Sequence, residues 1–98
     1  MFLIRNIFNA NPGKAKALVE IFKKAVPIME ANGIVKNTRI LTDSVGPFWT
    51  VILEGEVENL NNYLDMAKGV SGSKELGEAM KGYIDLVKGG QREIYKIE

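Results

Sequence analysis

The spacing of apolar residues switches period repeatedly along the chain, and each switch coincides with Gly, Pro or Asn. Phe2 to Phe8 is an apolar-rich run of strand length. Asn11-Pro12-Gly13 then reads as an N-cap with proline at the first helical position. From Lys14, the residues Leu18, Ile21, Phe22, Ala25, Ile28 and Met29 share one helical face, with Lys16, Glu20, Lys23, Lys24 and Glu30 mostly off it. Pro27 is expected to kink this helix and Asn32-Gly33 to stop it. Two strands, Ile34 to Asp43 and Phe48 to Val57, form a hairpin around Ser44-Val45-Gly46-Pro47. A helix from about Glu58 to Lys68 carries Leu60, Tyr63, Leu64 and Ala67 on one face and ends at Gly69. Ser73 caps a second piece with the stripe Leu76, Met80, Tyr83, Ile84 and Val87. Gly89-Gly90 ends that piece, and Arg92 to Ile97 alternates as a last strand.

The order β-α-β-β-α-β, with its second helix broken in two, is the ferredoxin-like α+β arrangement around an antiparallel four-stranded sheet. Residues 1–98 form one domain without repeats or linkers. Right-handed crossovers put both helices on one face of the sheet. Yet the strands are apolar on both sides. Phe2, Ile4 and Phe8 oppose Leu3 and Ile7; Trp49, Val51 and Leu53 oppose Phe48 and Ile52. So large an apolar face needs a cover, and a second copy of the chain is the simplest one. The expected assembly is a homodimer joined through the sheet face.

Composition narrows the chemistry. Thirteen basic and twelve acidic side chains leave a net charge of +1, which gives no general pull toward nucleic acid or anionic membrane. No apolar run nears the roughly 18 residues of a spanning helix, and Met1 to Ile4 is too short for a signal peptide. A cytoplasmic protein is expected. Without cysteine there is no disulfide, zinc–thiolate site or thiol nucleophile. Without histidine, the usual general base and imidazole ligation are missing too. Chemistry falls to carboxylates, Tyr, Lys, Arg, Asn, backbone groups or the substrate itself.

A chain of this topology with both sheet faces apolar resembles the dimeric α/β-barrel superfamily. Locally, "LIRNIFNANPGK" and "GGQREIYKIE" look like its NIPSNAP-like branch and the related antibiotic-biosynthesis-monooxygenase-like small proteins. The first stretch sets an Arg before a Pro-Gly helix start; the second reads Arg-x-Ile-Tyr. The resemblance implies two sheets packed face to face with helices outside. It also implies that Asn6 faces a pocket between sheet and helices, with Trp49 as a stacking wall and Tyr63 or Tyr83 as hydrogen-bond donors. In cofactor-independent monooxygenases of this kind such an Asn stabilises an oxyanion on an electron-rich aromatic substrate. The haem-degrading branch needs an iron-ligating His, which this chain lacks.

Each feature also has a plain structural use. Asn6 satisfies a backbone group at a barrel edge, and Arg5, on the opposite face, pairs with Glu54, Glu56 or Glu93. A functional Arg5 would anchor a substrate carboxylate. Glu54, Glu56 and Glu58 read as a solvated strand end rather than a metal site. "GVSGSK" lacks the phosphate-loop spacing. Gly77 and Gly82 weaken a helix, so they mark either close packing or space for a ligand. RNA-recognition, metallochaperone and acylphosphatase-like relatives of this topology each lack their defining residues here. The expectation is a non-catalytic homodimer without cofactor or metal that binds a small molecule, with an aromatic ligand as the candidate, or acts as an accessory protein. The alternative is a monooxygenase-like enzyme on an aromatic substrate. A pocket above about 300 Å³ on which Asn6 and a Tyr hydroxyl converge favours the enzyme.

Overall fold

The computed structural model describes residues 1–67 and 74–98. Its elements are β1 (Phe2–Ala10), α1 (Ala15–Ala31), β2 (Lys36–Thr42), β3 (Thr50–Val57), α2 (Leu60–Ala67), α3 (Lys74–Ala79), a 3₁₀ turn (Tyr83–Leu86) and β4 (Val87–Lys96). The strands form one sheet in the order β2-β3-β1-β4, every neighbouring pair antiparallel. This is the expected ferredoxin-like α+β fold. Among the described residues, no helix is long and apolar enough to cross a membrane.

Alternation along β1 sorts its side chains between two environments. Ile4 and Ala10 are buried against the helices, and Phe8 stacks on Phe22 of α1 with ring centroids 5.0 Å apart. Val51, Leu53 and Val57 of β3 share that side, and Leu18, Phe22, Ala25 and Met29 of α1 close the core over them. Leu3, Arg5 and Ile7 point the other way, with Ile52 and Leu41 in register beside Ile7. Among the described residues, no helix covers that face.

Across the open face runs a row of alternating charges, one residue from each strand. Arg39 on β2 pairs with Glu54 on β3, Glu54 with Arg5 on β1, and Arg5 with Glu93 on β4. The Arg5–Glu54 contact is 2.9 Å, and the Glu54 side chain is 2% exposed. Burial alone would raise the Glu54 pKa, but hydrogen bonds from Arg39 and Arg5 outweigh it and hold the carboxyl below its ordinary value. The hydrogen bond to Glu54 likewise pushes the Arg5 guanidinium upward.

Arg39 reaches this row only because β2 carries a bulge. Lys36 pairs with Glu56 and Arg39 with Glu54, so Asn37 and Thr38 together face Gly55. Asn37 takes the left-handed conformation, φ 53°, that the bulge requires. Gly55 is obligatory beside it, since a Cβ there would stand 2.5 Å from Cγ2 of Val35. The extra residue reverses the facing of β2 and swings Arg39 onto the open side.

Several expected boundaries shift. The first helix is capped at Lys14, not Asn11, because Asn11-Pro12-Gly13 closes a turn in which Lys14 N–H donates to the Asn11 carbonyl. Helix α1 continues past Pro27 and stops as expected at Asn32, with Gly33 left-handed behind it. The hairpin loop is longer than expected. Asp43 and Thr50 form its last backbone pair, and the Thr50 N–H also donates to Asp43 Oδ1, leaving Phe48 and Trp49 in the turn. The stripe Leu76, Met80, Tyr83, Ile84, Val87 is not one helical face. Helix α3 ends at Ala79, left-handed Gly82 (φ 89°) turns the chain, and Val87 already begins β4. Gly89-Gly90 therefore lies inside a strand, where a Cβ on Gly90 would stand 2.3 Å from the Ile7 carbonyl oxygen. The Gly69 stop and the Ser73 cap fall outside the described residues.

The charge row makes stability acid-sensitive in a defined window. Because the Glu54 pKa is lower folded than unfolded, the unfolded chain takes up the proton first as pH falls. The contribution of Glu54 is complete above the ordinary Glu value of about 4.3 and is lost below it. Denaturant titrations at pH 7 and between about pH 5 and 3 should show wild type losing stability in the acid window. Glu54→Gln should start lower and lose less. Arg5→Ala, which leaves Glu54 with Arg39 alone, should cost about 1–3 kcal/mol. The side chain is 34% exposed, so the cost falls short of a fully buried pair.

Candidate functional site

One residue along from the charge row, on the helix side, lies a polar group of a different kind. Asn6 faces Leu53 on β3 and Arg92 on β4. Its amide Nδ2 donates to Tyr63 Oη at 2.8 Å, and its Oδ1 accepts from Arg92 Nε at 2.7 Å. The Arg92 guanidinium also stands over the Tyr63 ring, 5.5 Å from its centroid. Tyr63 is placed by α2, whose first turn is capped when Asn62 N–H donates to Asn59 Oδ1. Only 3% of Tyr63 is exposed, so its hydroxyl meets Asn6 at the floor of the helix layer.

The three side chains line a cavity of about 930 Å³ between the sheet and the helices. Its remaining wall is largely apolar, built from Phe8, Met29, Leu53, Met66, Met80 and Tyr83 among others. Tyr83 packs edge-on against Phe8 at 6.3 Å. Gly77 lines the cavity, and a Cβ there would meet nothing within 4 Å, so this glycine leaves space rather than permitting close packing. Gly82 answers instead to its backbone conformation.

Of the four expected pocket residues, the structure brings together Asn6, Tyr63 and Tyr83. Trp49 is not with them. It sits in the hairpin turn with φ 64°, 40% exposed, and does not line the cavity. Arg5 pairs with Glu54 and Glu93 on the other face, as the alternation of the strand requires. Glu56 instead accepts from Asn37, and Glu58 pairs with Lys36, so the three acidic residues do not converge. The residue that sequence reasoning missed is Arg92. Its signal was the pairing of the first and last strands, which sets it opposite Asn6.

No protein-family model matches the chain. Solved structures do. A NIPSNAP domain protein from Burkholderia xenovorans superposes with a TM-score of 0.79 at 9% identity, over 100% of this chain and 95% of that one. A NIPSNAP family protein from Agrobacterium tumefaciens gives 0.77 at 12%, over 99% and 92%. A putative antibiotic biosynthesis monooxygenase from Chloroflexus aurantiacus gives 0.75 at 11%, over 99% and 93%. The chain has the fold of these proteins. Among curated sequences, translation initiation factor IF-2 of Acinetobacter baumannii (strain AYE) is 34% identical over 80 residues. That alignment covers 79% of this chain but only 8% of the factor, too small a part to convey the activity of the whole.

The Asn6 bridge has a measurable weight. Tyr63→Phe removes the acceptor for Asn6 Nδ2 while keeping the ring. In urea unfolding it should cost about 1 kcal/mol, the net worth of one hydrogen bond, and leave the fold intact.

Proposed function

We propose that this protein binds a small organic molecule in the cavity between sheet and helices, and does so as a homodimer. The carrying observation is the cavity itself, about 930 Å³, with an apolar wall and one polar group of Asn6, Tyr63 and Arg92. A few convergent polar side chains in a largely apolar hollow are the usual composition of a small-molecule site. Screening hydrophobic compounds by thermal shift should yield ligands in the micromolar range. Asn6→Ala, which also forfeits the hydrogen bonds with Tyr63 and Arg92, should weaken them while the protein stays folded. A screen without hits, or hits indifferent to Asn6, would remove this reading.

The second reading is cofactor-independent oxygenation of an electron-rich aromatic substrate. It is favoured by the size of the cavity and by the convergence of Asn6 and the Tyr63 hydroxyl on it, 2.8 Å apart. The name of the Chloroflexus neighbour points the same way. Oxygen uptake with phenols that bind in the screen, lost in Asn6→Ala, separates catalysis from binding.

Dimerisation rests on the open face. Leu41, Ile52 and Ile7 form one row there; Leu3 and Tyr95 lie beyond the charge row, and Tyr95 is 48% exposed. Ile52 lies on this face, so Ile52→Glu should convert a dimer into monomers in light scattering. A folded wild-type monomer at micromolar concentration would contradict the assembly and leave the binding reading standing.

A further inference from the structure

The charge that lines the cavity is of one sign among the described residues, with Arg92 and Lys74 beside the neutral amides of Asn6 and Gln91. Asn6 uses its amide nitrogen on Tyr63 and its oxygen on Arg92, one bond at each end, and it carries no charge of its own. Tyr63 accepts at its oxygen, and its own O–H proton remains to be given. Arg92 is held by Nε alone, and its terminal Nη groups have no acceptor among the described residues. It pairs with no carboxylate there either, whereas Arg5 and Arg39 both do. Lys74 also lines the cavity, and among the described residues no Asp or Glu does. What remains toward a ligand is a set of donors carrying positive charge, beside a wide apolar wall.

From this we infer that the ligand is an amphipathic organic anion, whose carboxylate is received by the Nη groups of Arg92 and the Tyr63 hydroxyl while its apolar body fills the cavity. The inference rests on the binding reading above and narrows it. The Nε bond to Asn6 and the stack on Tyr63 restrict the guanidinium to one orientation, so little freedom is lost when it pairs bidentately. A neutral phenol or alcohol of the same skeleton would meet the donors with one weaker acceptor. The anchor for a carboxylate is thus Arg92, not Arg5.

Matched probes test it. Calorimetric titration at pH 7 would compare 2-naphthoate with 2-naphthol and decanoate with decanol, each pair sharing a body and differing in charge. The anion should bind at least about tenfold more tightly in a pair that binds, the strength of a charge-assisted hydrogen bond. Arg92→Gln should abolish that preference, bringing the affinity of the anion down to that of its neutral partner. Arg92 is solvent-exposed, so this variant should stay folded although it gives up the Nε hydrogen bond to Asn6, which unfolding curves of both proteins check. Equal binding of anion and alcohol, or a preference that survives in Arg92→Gln, overturns the anion inference alone. Failure of all four probes to bind overturns it together with the binding reading.

Discussion

The row Arg39–Glu54–Arg5–Glu93 takes one residue from every strand and alternates sign at each step. In a sheet, a slip of one residue sends every side chain to the opposite face. Here a slip of β3 would take Glu54 from both its counter-ions, a costly state for a buried carboxylate, and a slip of any other strand would break that strand's own link in the row. Apolar alternation tells each strand which side is in. The charge row tells each strand where along its neighbour to stop. It therefore specifies register as much as it stabilises, and it does so on the face that carries no helix.

The cavity inherits its geometry from that register. Asn6 and Arg92 immediately adjoin the two charged residues Arg5 and Glu93, one position along β1 and one back along β4. Because neighbouring strand residues alternate faces, the row that pairs Arg5 with Glu93 below the sheet also pairs Asn6 with Arg92 above it. Two antiparallel strands thus hold opposite chemistry on their two sides: compensated charge where no helix packs, an uncompensated guanidinium where the helices leave space. Helix α2 adds Tyr63, and the missing side chain at Gly77 keeps the volume open.

How much of this can be read from the sequence depends on the range over which each feature is decided. Period-two alternation is local, so the opposite facings of Arg5 and Asn6, and a carboxylate partner for Arg5, follow from the residues themselves. So does the topology, which needs only the order of periods. Arg92 does not, because its meaning comes from pairing with a strand 86 residues away. The misplacing of Trp49 has a different cause. Its apolar neighbours continue the strand pattern, but Asp43 captures the Thr50 amide and ends the ladder there, so the loop takes in Phe48 and Trp49. Likewise Met80, Tyr83 and Val87 keep helical spacing across Gly82, and periodicity alone cannot register that a left-handed glycine has already ended the helix.

The aromatic residues end up sorted by surface. Trp49, the chain's single tryptophan, stands on the hairpin turn; Tyr63 and Tyr83 line the cavity; Tyr95 lies on the open face. The protein consequently carries aromatic reporters at three separate places without any label. Indole emission follows the surroundings of the hairpin, and filling the cavity perturbs two phenols while the tryptophan serves as an internal standard. The third phenol records whatever comes to rest against the bare side of the sheet.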